Sequence, residues 1–417
     1  MGPTAAPGHP VPPARGFVAR TLSSFRSRNF RLFFLGQTIS NTGNWLTTVT
    51  LTLLVLHRTG SGVGVGLLSA CQFGPILFLS AWAGVIVDRM SKRKLLLVTQ
   101  SLAMCQSFVL GALAFAHDAP LAAFYVTALA GGCLLAFDNP VRRSFVNEMV
   151  PVEDLPNAVT LYSVMVNLSR IVGPLLAGVL IVTVGYGWSF TLDAISYSAV
   201  LVALGMMRVT ELRRIAATPR AAGQVRAGLR YIASVPELWI SFGMLLIIGI
   251  LGYNFTVVFP LFVEKGLHGG DAAYTWIYAS FSAGAIVGAL VVARRETVAI
   301  RTIVLGAAWF GISMLLLAAA PDVALACVVA TGVGATSVAY LTATTSIAQL
   351  RTDRDMIGRV LAIQTILAVG STPVGGPILG AVSDAAGARW PVVIGGVAAL
   401  AAAALGALAS RRQPAPV

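Results

Sequence analysis

The chain has 417 residues, 57% of them hydrophobic and 11% charged, with a mean hydropathy of +0.82. A soluble protein of this size carries about a quarter charged residues, so the composition excludes a water-soluble globule and indicates an all-α polytopic membrane protein. The formal charge of +13 does not imply nucleic acid as a partner, because basic residues gathered in cytoplasmic loops make such proteins basic on their own.

Residues 1–28 are rich in Pro, Gly and Arg and read as a disordered cytoplasmic tail. Twelve apolar runs of membrane-spanning length follow, six in an N-terminal half (29–208) and six in a C-terminal half (238–410), before a short tail at 411–417. The central segment, 209–237, is arginine-rich, and Val225 to Ile232 reads as an amphipathic helix on the membrane surface. The second run closes on Gly84-Val85-Ile86-Val87-Asp88-Arg89-Met90-Ser91-Lys92-Arg93-Lys94, one acid followed by four bases. With both termini cytoplasmic, the inner segments collect nearly all the Lys and Arg. The outer side keeps only Arg58, Lys265 and Arg389, and Arg170 falls within a span.

The halves repeat each other. Glu153 to Val159, Gly173-Pro174-Leu175-Leu176-Ala177-Gly178 and Trp188 recur about 202 residues later as Arg354 to Val360, Gly376-Pro377-Ile378-Leu379-Gly380 and Trp390. Two parallel six-helix repeats are the architecture of alternating-access transporters.

These residues resemble the major facilitator superfamily. Gly84-x-x-x-Asp88-Arg89-x-Ser91-Lys92-Arg93 looks like its loop signature between the second and third helices, with Ser91 where Gly is usual. Phe137-Asp138-Asn139-Pro140 and Ser169-Arg170-Ile171-Val172-Gly173-Pro174 look like the drug:proton antiporter branch, twelve-helix exporters that include macrolide and siderophore exporters. The resemblance implies a cytoplasmic gate in which Asp88 meets the N-terminal end of the eleventh helix. The second-half counterpart, near Gly288 to Arg301, has Val292 and Ala293 where an acid is expected, so the latch is single.

The gate set is therefore Gly84, Asp88, Arg89, Lys92, Arg93 and Asp138. Asp138 lies about 26 Å along the fourth span from Leu121, near the cytoplasmic face, where Lys92 or Arg89 would pair with it. In the fifth span Ser169, Gly173, Pro174 and Gly178 form an antiporter-like thin face, expected against Gly284 and Gly288 of the eighth. Arg170, near mid-depth, is the leading substrate or coupling residue, whereas Asp193 is expected to snorkel to the outer interface. Gln37, Asn41, Asn44 and Trp45 share one face of the first span. The resemblance makes the first, fourth, seventh and tenth spans line the cavity, which would bring these four together with Tyr253, Asn254 and Tyr340.

No phosphate-binding loop is present and the four histidines are scattered, so the chain reads as a transporter, not an enzyme, with no cofactor and no metal. The expected activity is export of amphipathic small molecules across the cell membrane by a monomer exchanging them for protons. A non-transporting sensor or scaffold on the same fold, and a nutrient importer, stay open as alternatives.

Overall fold

The computed structural model describes residues 23–411 apart from 117, 214–223, 294–297 and 354; the side chains of 80, 81, 84, 85, 88, 224, 225, 293 and 369 also lie outside it. The described residues form helices and short connections, with no strand.

The N-terminal half holds span 1 (Arg28–Thr59), span 2 (Gly62–Arg89), span 3 (Lys92–Phe115), span 4 (Leu121–Met149), span 5 (Leu155–Thr183) and span 6 (Tyr186–Gly205). The C-terminal half holds span 7 (Pro236–Leu251 and Phe255–Leu261), span 8 (Asp271–Ala293), span 9 (Ile300–Ala318), span 10 (Val323–Leu350), span 11 (Ile357–Val369 and Thr372–Ala386) and span 12 (Trp390–Arg411). Eleven of these are long and apolar enough to cross a membrane. Span 1 falls short of that average because Gln37, Ser40, Asn41 and Asn44 lie in its middle. It is nevertheless 32 residues long and packs along spans 5 and 6.

The same pairings recur in both halves. Spans 1–6, 2–4 and 3–6 pack in the first, and spans 7–12, 8–10 and 9–12 in the second. The repeat reaches the turns as well. Gly185 and Gly387, separated by the repeat offset, both take positive φ (85° and 105°) just before the sixth span of their half, a conformation open to glycine without steric penalty. Spans 7 and 11 are each broken in mid-course. The breaks fall at Gly252-Tyr253-Asn254 and at Gly370-Ser371, and discontinuous helices of this kind frame ligand sites in transporters.

The halves meet along span 2 against span 11 and span 5 against span 8. The first and last described residues, Ser23 and Arg411, lie at one end of the bundle, here the terminal end; the other is the distal end. Residues 23–28 of the expected tail are packed on the bundle, and residues 1–22 lie outside the described residues. Ser24 Oγ donates to Asn157 Oδ1 (2.7 Å) and Ser27 Oγ to the Met149 carbonyl (2.6 Å), tying residues 23–27 to spans 4 and 5. A helix does form in the central segment, Gln224–Ser234. It docks Gly228 against Arg359 and Ile363 of span 11, buries Ile232 and leaves Arg226 and Arg230 exposed.

Candidate functional site

A cavity of about 460 Å³ lies between the halves. Trp45, Phe73, Arg170, Tyr253, Phe255, Tyr278 and Phe281 line it, with Ser282, Ser337 and Thr372 among its few polar groups. Toward the terminal end its walls are Val164 and Leu168 of span 5 and Ile286 and Leu290 of span 8, all about half exposed. Spans 5 and 8 therefore splay apart there.

The distal end is closed. Asp384, near the end of span 11, accepts hydrogen bonds from the Gly62 and Val63 amides (2.7 and 3.0 Å) and from Ser61 Oγ (2.8 Å), capping span 2 of the opposite half. A carboxylate is favoured at a helix N-terminus, where unsatisfied N–H groups and the helix dipole converge. Lys265 pairs with the same carboxylate at 2.9 Å. Below this cap, Gly62 and Gly66 press on the backbone of Gly376, Pro377 and Gly380, with no room for a Cβ on either helix. Next to it, His57 lies 3.6 Å from Glu264 and 3.5 Å from Asp271, and Tyr186 donates to Asp271 at 3.3 Å. Among the described residues, every hydrogen bond or ion pair between the halves falls at this end.

Several expectations change. Asp138 does not pair with Lys92 or Arg89. It forms a buried ion pair with Arg142 one turn along span 4, and accepts from Thr99 Oγ1 (2.9 Å) and Gln100 Nε2 (2.7 Å). Lys92 bonds Glu148 at 2.6 Å, Arg93 donates to the Leu204 carbonyl at the end of span 6 (2.7 Å), and Arg89 is exposed. The side chains of Gly84 and Asp88 lie outside the described residues.

Of the span 1 residues only Trp45 reaches the cavity. At 100° per residue it stands about 80° from Gln37, at the edge of the stripe. The centre of the stripe points into the N-terminal half: Asn41 accepts from Arg142 (3.4 Å), Asn44 donates to Tyr197 (3.3 Å), and Gln37 is fully buried without a partner. In the other half Tyr253 lines the cavity and donates to the Ser337 carbonyl (2.8 Å). Asn254 instead bonds the Ile250 carbonyl (2.7 Å) across the break in span 7, and Tyr340 is buried beside Tyr253 with a free hydroxyl.

The span 5 pattern is divided between two neighbours. Ser169 and Gly173 meet span 1, at Thr42 and Trp45, and Pro174 is buried beside them in the helix. Only Gly178 meets span 8, at Thr275. Gly284 and Gly288 pack on the carbonyls of Thr331 and Ala335 in span 10, not on span 5. Asp193 does not snorkel. It is 1% exposed between spans 1, 3 and 6, accepting from Thr47 and Ser107 (2.7 Å each) and from Ser196 (3.4 Å).

The family described as transmembrane secretion effector matches residues 19–414. The chain belongs to this family of major facilitator transporters. It is a secondary transporter, not an enzyme. The transporter is 27% identical to a staphyloferrin A transporter of Staphylococcus aureus over 271 residues, 63% of this chain and 66% of that one, just under two thirds of its length. It is 24% identical to the multidrug efflux pump Tap of Mycobacterium tuberculosis over 399 residues, covering 90% of this chain and 93% of Tap. Among solved structures, a POT family transporter superposes with a TM-score of 0.75 at 12% identity, over 93% of this chain and 96% of that chain. An inward-facing bacterial homologue of the human lysosomal transporter Spinster gives 0.71 at 14%, over 93% and 99%. At these identities the structures speak for the fold alone.

Proposed function

We propose that this transporter exports amphipathic small molecules from the cytoplasm in exchange for protons, by rocking of its two halves. The observation that supports this best is the cavity between the halves, sealed distally by Asp384 and the glycine seam and splayed at the terminal end. With both termini in the cytoplasm, the side that the basic loops favour, this is the state that loads cargo from inside. The efflux activity in the name of Tap points the same way. In the opposite state Asp88 takes over as the latch of the cytoplasmic end, and Asp88→Asn is expected to lower export while leaving insertion intact.

Protons are assigned to Asp193. Among the described residues it is the carboxylate buried in a span without a cationic partner. Its three hydroxyl neighbours can each donate or accept, so the site accommodates the acid and the anion alike. Charged side chains within spans are expensive and mark ion pathways or proton relays. The test is transport by proteoliposomes under an imposed pH gradient. The gradient should accelerate wild-type transport at least about tenfold and leave Asp193→Asn, which keeps the packing, with downhill exchange only. Equal acceleration in the variant would remove Asp193 from the coupling path, and wild-type transport that ignores the gradient would end the antiport reading.

A further inference from the structure

Arg170 is the one formally charged side chain among the residues that line the cavity, and no carboxylate lines it. Its guanidinium carbon lies 5.0 Å from the ring centroid of Trp45, in a cation–π contact. Among the described residues it has no hydrogen bond and no ion pair, and its Nε is buried without a partner. Stacking uses the face of the guanidinium and leaves the N–H groups along its edge. Those donors fit a planar or tetrahedral anion in two-point contact. Most other buried or half-buried arginines of this chain have their partner: Arg142 has Asp138, Arg93 the end of span 6, and Arg389 the carbonyls of Ala318 and Ala320.

An unpaired guanidinium in an otherwise aromatic cavity is costly to enclose, since burial strips its water and nothing replaces it. A ligand bringing a carboxylate, sulfonate or phosphate on an aromatic or aliphatic body would supply the missing acceptor and fill the apolar walls. We infer that the cargo is an amphiphile with an anionic head, held by Arg170, and that cationic amphiphiles are disfavoured. This deepens the exporter reading and rests on its choice of cavity.

The test uses three probes with one apolar body: pyrenebutyrate, pyrenebutanol and pyrenebutylammonium. Binding to the purified wild-type protein in phosphatidylcholine nanodiscs is read by fluorescence, with the signal of empty discs subtracted. The anion should bind at least about tenfold tighter than the alcohol, and the cation weakest, as expected for one charge-assisted contact. Arg170→Gln should bring the anion down to the level of the alcohol, and Arg170→Lys should recover part of the preference. Equal affinities in the wild-type protein, or a preference that survives Arg170→Gln, would overturn the assignment. An anionic lipid headgroup has the same chemistry. Loss of pyrenebutyrate binding in phosphatidylglycerol discs would give the site to lipid and overturn the small-molecule assignment, and retained binding would support it. Translocation of the same probes in proteoliposomes separates the two readings. Transport indifferent to probe charge would keep the exporter and remove the anion preference, whereas selective anion binding without translocation would keep the site and remove the exporter.

Discussion

The two halves share a fold and differ in what fills them. Spans 1, 3, 4 and 6 enclose Asp138, Arg142, Gln100, Asn41, Tyr197, Asn44 and Asp193, a chain of polar groups running through the N-terminal half. At the repeat offset of 202, Asp138 corresponds to Tyr340 and Arg142 to Thr344, so the ion pair is replaced by an aromatic ring and a hydroxyl. Around Tyr340 the C-terminal half stacks Tyr253, Phe255, Phe259, Phe281 and Phe310 with ring centroids 4.6 to 6.4 Å apart. Duplication preserved the helix pairings while the chemistry diverged. One half buries titratable carboxylates, and the other offers an aromatic and apolar wall.

That contrast can be broken at three places. The largest effect is expected at Arg142→Ala, which strands the Asp138 carboxylate in the interior. Removing one member of a buried ion pair costs about 3–5 kcal/mol, to be read as a fall in thermal stability of the purified protein; a cost near that of Thr344→Ala would mean that the pair is not a structural element. Asp384→Asn should be milder. It weakens a capping interaction that is partly exposed and therefore screened, worth about 1 kcal/mol. The distal closure should then open roughly fivefold more often, visible as faster hydrogen exchange in the distal parts of spans 2 and 11. Unchanged exchange there would show that the glycine seam alone holds the closure. In the aromatic half one change should match that cost and the other should be the smallest of all. Tyr340→Phe removes a hydroxyl that has no partner and should change stability by less than about 0.5 kcal/mol, whereas Tyr253→Phe loses its bond to the Ser337 carbonyl and should cost about 1 kcal/mol. Equal losses would mean that the two hydroxyls are held alike.

Much of the fold was legible in the sequence. Apolar run length marks twelve spans, eleven of them long and apolar enough in the structure to cross a membrane and the polar-centred span 1 a helix all the same, and the recurring Gly-Pro and Trp motifs align the halves down to the Gly185 and Gly387 turns. The site was legible in part. Arg170 stood out as a charge near mid-depth and Trp45 as a member of one face of span 1, and both line the cavity. Periodicity assigned Gln37, Asn41 and Asn44 to one face of span 1 but could not say which neighbours that face meets, and it meets spans 4 and 6. Asp193 was misread because the span begins at Tyr186, which places the carboxylate about 10 Å inside, among hydroxyls drawn from three spans. Asp384 was missed altogether. The groups it caps lie more than 320 residues away, and no local pattern marks an acid at the end of one helix as the cap of another.

The seam formed by Gly62, Gly66, Gly376 and Gly380 has a consequence for permeability. A passage shut by exposed side chains can open as they swing between rotamers, in picoseconds to nanoseconds. Here backbone meets backbone, so nothing can swing aside. The distal passage opens only when whole helices part, a motion of microseconds to milliseconds. A seam of this kind is crossed at the pace of helix motion and not of rotamer motion.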